Sequence, residues 1–119
     1  MSEENCLDLE ALARLRRFGK GGQFVREMID LFLSYAPTKL AEAQKGLEAG
    51  DLLAIEKAVH PLKSGAGNIG ARVVRDLATQ IERLAAAKQG DDLPALLHEL
   101  DTAFAEVKVR LEAAKQSES

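Results

Sequence analysis

Residues 52–71 read Leu-Leu-Ala-Ile-Glu-Lys-Ala-Val-His-Pro-Leu-Lys-Ser-Gly-Ala-Gly-Asn-Ile-Gly-Ala. Apolar residues recur at Leu52, Ile55, Val59, Leu62, Ala66 and Ile69, in steps of three and four. That is the period of a helix with one buried stripe. At roughly 100° per residue, His60 points about 130° away from the centre of that stripe. Glu56, Lys63, Ser64 and Gly67 share its outward face, because side chains three and four apart on a helix are neighbours. The spacing therefore predicts an exposed imidazole flanked by an acid, a base and a hydroxyl, with open backbone beyond.

The same alternation extends over the rest of the chain. A short helix is expected from Leu7 to Arg17, then a loop at Phe18–Gly22, where three glycines fall in five residues. A long helix from Gln23 to Glu48 turns Phe24, Met28, Leu31, Tyr35, Leu40, Ala43 and Leu47 inward, with a kink or brief break at Pro37. Gly50 ends it and Asp51 caps the helix that carries His60, which frays near Asn68. A fourth helix covers Ala71–Lys88, with Val74, Leu77, Ile81 and Leu84 inward and Gly90 as its stop. A fifth follows an Asp91 or Asp92 cap, holds Pro94 in its first turn and runs to Ala114. Its seam is Leu93, Leu97, Leu100, Phe104, Val107 and Leu111. The tail from Lys115 to Ser119 is expected to be disordered.

Alanine and leucine supply 37 of the 119 residues and β-branched residues are sparse, which favours helix over sheet. Short connections between long helices imply antiparallel neighbours. The expected fold is all-α: an up-down-up-down antiparallel four-helix bundle with a short additional N-terminal helix, one domain over 1–119, ordered from about 7 to 114.

The net charge of −3 gives no global basic field for nucleic acid. No apolar run approaches the ~18 residues that cross a bilayer. The start Met1-Ser2-Glu3-Glu4-Asn5 lacks the pattern of a signal peptide, and Cys6 is the only cysteine. A cytoplasmic, free-standing monomer without nucleic-acid or membrane partners is expected.

His60 read blandly is an ordinary surface histidine. Read chemically, neutral imidazole nitrogen is a competent nucleophile. A phosphoryl group on it adds about two negative charges. Lys63, one turn on, can offset them and Ser64 can donate a further hydrogen bond. Phosphoryl transfer asks mostly for positioning and charge stabilisation, so a nucleophile on a helix suffices if a partner brings the rest.

Gly65-Ala66-Gly67-Asn68-Ile69-Gly70 spells G-x-G-x-x-G. A dinucleotide loop of that form must follow a buried strand and open a helix. Here a helical period precedes it. The steric reading is that Gly67 lets a partner's backbone approach His60, while Gly65 and Gly70 serve close packing and a turn. Pro61 removes the hydrogen bond to the Lys57 carbonyl, either to bend the helix or to serve the site. No metal site or cofactor is expected. His60 and His98 are the only histidines, and His98 reads as a polar-face residue. Arg14, Arg16, Arg17 and Lys20 read as a solvated helix end.

His60, Leu62, Lys63, Ser64, Gly67, Ile69, Gly70 and Ala71 together resemble the signature of histidine-containing phosphotransfer (HPt) domains of bacterial multistep phosphorelays. Asp30-Leu31-Phe32-Leu33, Ala36-Pro37, Gly50-Asp51 and Ala58 extend the resemblance over about Leu7 to Leu111. Ser64 stands where many members carry glycine, and Pro61 directly follows the histidine. The resemblance implies that His60 takes a phosphoryl group from an aspartate of one receiver domain and passes it to another. The receivers belong to response regulators and hybrid sensor kinases. Lys63 and Ser64 would steady the phosphohistidine, while Glu56, Lys57 and Gly67 would meet the receiver. The receiver would bring Mg²⁺ and most of the catalysis, and this chain would have no ATP site. The alternative is a helical adaptor that docks a receiver or histidine kinase and regulates it without being phosphorylated.

Overall fold

The computed structural model describes residues 6–18 and 22–118. Five helices lie wholly within them: α1 (Leu9–Arg16), α2 (Gly22–Ala49), α3 (Leu52–Ile69), α4 (Arg72–Ala86) and α5 (Leu93–Ser117). α3 packs mainly on α4 and α2, and α5 closes the ring against α4 and α2. This is the expected four-helix bundle, with α1 laid against α2 and α3. The 28 residues of α2 set the long dimension of 44 Å. Among the described residues no helix is long and apolar enough to cross a membrane.

Local chemistry fixes the turns around α3. Gly50 takes φ +68° and Asp51 accepts a hydrogen bond from the Ala54 N–H at 3.1 Å, capping the helix as expected. At the far end Gly70 takes φ +82°, and the Ala71 N–H returns to the Ala66 carbonyl at 2.9 Å. A Cβ on Gly70 would lie 2.5 Å from the Asp8 carbonyl oxygen, so only glycine lets the start of α1 cross here. The Asp8 N–H donates to the Gly70 carbonyl at 2.7 Å, tying α1 to the end of α3.

The expected stripes of α3 and α5 are the buried ones, save that Leu52 is half-buried and Ala58, Leu96 and Ala103 join them. In α2 the buried row is Val25, Ile29, Phe32, Ala36 and Ala43. It lies one residue beyond the Phe24–Met28–Leu31–Tyr35 row expected to turn inward, and Leu31 is 55 % exposed. Both rows have helical spacing, so periodicity alone does not choose between them. In α4, Ala78 and Ala85 are buried while Leu77 and Leu84 are half-buried.

Other expectations are corrected. α2 runs unbroken through Pro37, whereas α3 does end beside Asn68, at Ile69. α4 ends at Ala86, and Lys88 (φ +59°), not Gly90, makes the left-handed stop. There the Gln89 N–H closes back on the Leu84 carbonyl at 2.9 Å. Asp92 stands at the cap of α5 without a side-chain capping bond.

The expected disordered tail is helix through Ser117. Lys115 donates to Asp30 at 2.7 Å, and buried Glu118 receives the guanidinium of Arg16, which is therefore not just part of a solvated end. That guanidinium holds the Glu118 carboxyl below its ordinary value, against the opposing effect of burial. Of the loop expected at 18–22, residues 19–21 (including Lys20) lie outside the described residues, and Gly22 already opens α2. Cys6 is a buried free thiol, and His98 is exposed.

Candidate functional site

The imidazole of His60 projects from the middle of α3 with 62 % of its side chain exposed. Leu62 and Val59 on either side are fully buried and fix the helix against rotation. Toward α4, His60 Nδ1 lies 2.5 Å from Oε2 of Glu82, and Lys63 Nζ donates to Oε1 of the same carboxylate at 2.5 Å. Glu82 thus joins the ring and the ammonium through one group. Burial pushes its carboxyl up, but the hydrogen bonds from Lys63 and His60 outweigh that and hold it below its ordinary 4.5. An ionised carboxylate only accepts, so Nδ1 carries the hydrogen. In the neutral ring the lone pair then sits on Nε2.

The expected acid beside His60 was Glu56. It lies half-buried one turn earlier, and the carboxylate that reaches the ring is Glu82. A signal for Glu82 was present in the sequence. Antiparallel helices share one rise per residue, so positions equally far from the turn lie at equal height. His60 and Glu82 are each eleven residues from Ala71.

On its α2 side the ring borders an open groove of about 400 Å³, walled by Met28, Leu31, Tyr35, Pro61 and Ser64. The Tyr35 hydroxyl donates to the Pro61 carbonyl at 3.1 Å, and its ring meets Phe32 edge-on at 5.7 Å. Burial raises the Tyr35 phenol. A Cβ on Gly65 would fall 1.8 Å from that hydroxyl, so the absent side chain is what admits Tyr35. Ser64 is exposed on this side, opposite the flank that carries Lys63. Lys57 is exposed at a separate hollow on the α2–α3 seam, nearer the start of α3. A Cβ on Gly67 would meet only the Arg75 side chain, at 3.6 Å, so the backbone past His60 is bare but for one flexible stem.

Among the described residues no three of His, Cys, Asp and Glu gather as a metal site would require. The arrangement is an exposed imidazole whose Nδ1 meets a carboxylate that also binds the Lys63 ammonium.

The family model described as "Hpt domain" matches residues 27–110, well over half of the chain. Histidine-containing phosphotransfer protein B (HptB) from Pseudomonas aeruginosa PAO1 is similar in structure with a TM-score of 0.88, at 25 % identity over 98 % of both chains. The HPT domain of a sensor hybrid histidine kinase from Shewanella shares the fold, with a TM-score of 0.82 at 16 % identity over 97 % of both chains. No curated protein matches the chain.

Proposed function

The chain belongs to the Hpt domain family, with a histidine phosphotransfer role in phosphorelays, and on that premise we propose that His60 is the residue that carries the phosphoryl group. The observation that carries this reading is the shared carboxylate of Glu82, which leaves Nε2 of an exposed ring as the free nucleophile.

In the proposed step the Nε2 lone pair attacks the phosphorus of a receiver's aspartyl phosphate. The N–P bond forms, the P–O bond to the aspartate breaks, and the aspartate leaves as a carboxylate. The proton on Nδ1 stays, and the positive charge that develops on the ring is met by Glu82. Lys63 Nζ, already beside the ring, offsets the incoming phosphoryl charge, and Ser64 offers a donor from the other side. The reverse attack, by an aspartate of a second receiver, empties the site.

We assign Mg²⁺ and most of the catalysis to the receiver, following the family resemblance, and we take the protein as a cytoplasmic monomer. The receiver of a response regulator or hybrid kinase would cover Glu56, Lys57 and Gly67 and rest its apolar surface on Leu31 and Tyr35. A docking adaptor that is never phosphorylated has no use for a ring, an ammonium and a carboxylate held in register.

The test is incubation with receiver domains phosphorylated by acetyl phosphate. Acid-labile, alkali-stable phosphate should accumulate on the wild type and be absent from His60→Gln. Equal labelling of both would overturn the assignment, and tight receiver binding without label would favour the adaptor.

A further inference from the structure

A second open hollow lies on the same α2–α3 seam, toward the start of α3. It sits between Lys39, Lys45 and Lys57, over a floor that includes Gly46, Ala54 and Ala58, with a volume of about 500 Å³. The floor is low because α2 and α3 nearly touch. A Cβ on Gly46 would come within 3.0 Å of Ile55 Cγ1. Two carboxylates share this stretch, and both are engaged. Glu42 pairs with Lys39 at 3.1 Å, and Asp51 caps α3. Lys45 and Lys57 have no side-chain partner among the described residues, and both are exposed. A chain of net charge −3 thus keeps two uncommitted ammonium groups on the same α2–α3 seam as the groove beside its exposed histidine.

We propose that the receiver lies lengthwise along the α2–α3 seam, with carboxylate side chains of its surface set against Lys45 and Lys57 while its apolar surface covers Leu31 and Tyr35 beside His60. This rests on the reading of His60 as the phosphoryl carrier.

Two considerations commit the groove to this occupant. The first is reach. Signalling and standard interfaces cover about 500–800 Å² on each partner, a disc roughly 25–30 Å across. Ala54, beside Lys45 in the groove, lies six residues from His60, about 9 Å along the helix. A footprint centred on His60 therefore takes in Lys45. The second is charge. A partner that presents an aspartyl phosphate is anionic where it docks, and it approaches a chain whose own net charge is negative. Unpaired cations at the contact turn that approach from repulsion to steering, which acts mainly on association and is screened by salt. On the α4 flank, by contrast, Lys63 is bound to Glu82 and Arg75 to Asp76.

The experiment measures phosphoryl transfer from a purified receiver, phosphorylated by acetyl phosphate and chosen because it loads the wild-type chain. Lys45→Glu is compared with Lys108→Glu, which makes the same change of net charge on an exposed position of α5. The half-saturating receiver concentration should rise about threefold or more for Lys45→Glu at low salt and stay at the wild-type value for Lys108→Glu. The difference should vanish near 1 M salt, where the Debye length is about 3 Å. Circular dichroism verifies that each variant is folded. Identical behaviour of the two variants, or a defect in Lys45→Glu that salt does not relieve, overturns the lysine contact and leaves His60 in place. Failure of every receiver to load His60 overturns the parent reading and this one with it.

Discussion

A carboxylate that accepts the Nδ1–H of an imidazole decides which ring nitrogen keeps its lone pair. Glu82 holds that position for His60 while binding Lys63 through its other oxygen. Glu82→Gln keeps the shape and removes the charge, and the amide can present its NH₂ to Nδ1, favouring the wrong tautomer. Transfer to His60 should fall by about tenfold or more while the circular dichroism spectrum is unchanged. An unaltered rate would remove Glu82 from the chemistry.

The same residue carries a pH signature. Its carboxyl titrates below 4.5 in the folded chain. Its interactions therefore stabilise the fold above the unfolded value and lose that effect as pH falls through the lowered one. The wild type should unfold at higher urea than Glu82→Gln near pH 6, and the two midpoints should converge as pH falls through the lowered carboxyl value. Of this site the sequence shows His60 and Lys63 directly, since both lie on one helix. Glu82 comes from another helix and becomes visible only once the α3–α4 pairing is granted.

At the scale of the element, α3 accommodates two residues that ordinarily weaken helices. Pro61 withdraws one N–H, and Tyr35 from α2 donates its hydroxyl to the carbonyl of that same proline. Gly65 leaves the space for that hydroxyl. Helix propensity alone favours alanine over glycine by about 1 kcal/mol. Gly65→Ala should instead destabilise the wild type by about 1–2 kcal/mol, because the new methyl evicts Tyr35. In a Tyr35→Ala background the same change should turn stabilising, by up to about 1 kcal/mol. Urea unfolding of the four proteins checks this, and an unchanged sign would show that Gly65 and Tyr35 do not compete for space.

α2 shows where reading by period stops. The Phe24–Met28–Leu31–Tyr35 and Val25–Ile29–Phe32–Ala36 rows are equally periodic, and the bundle buries the second. The first is left half-covered, and its Leu31 and Tyr35 become the wall of the groove beside His60. The mistaken row is thus the one with a surface function in this account. Which of two adjacent rows faces the core depends on where α5 and α3 lie, and that information is not local to α2.

The whole molecule is a ring of four helices whose antiparallel order sets heights as well as neighbours. That order brings Glu82 level with His60 and sets two hollows along the α2–α3 seam, one beside Leu31 and His60 and one beside Lys45. The ends are tied by contacts far apart in sequence, Arg16 to Glu118 and Asp30 to Lys115. Such contacts are why a polar tail, expected to be loose on composition, continues α5 instead. The caps at Asp51 and Gly70 were legible because they are local. The stop at Lys88 was not, because a lysine in left-handed backbone is chosen by the packing around it and carries no signal of its own.

The central claim is that an imidazole held by Glu82 offers Nε2 to a phosphoryl group. Long-range ¹H–¹⁵N NMR of the imidazole-labelled protein, recorded before and after loading by a phosphorylated receiver, tests it most directly. The account predicts Nδ1–H in the free neutral ring and a phosphorus coupling on Nε2 of His60 after loading. A coupling on Nδ1, or on His98 in place of His60, would contradict it.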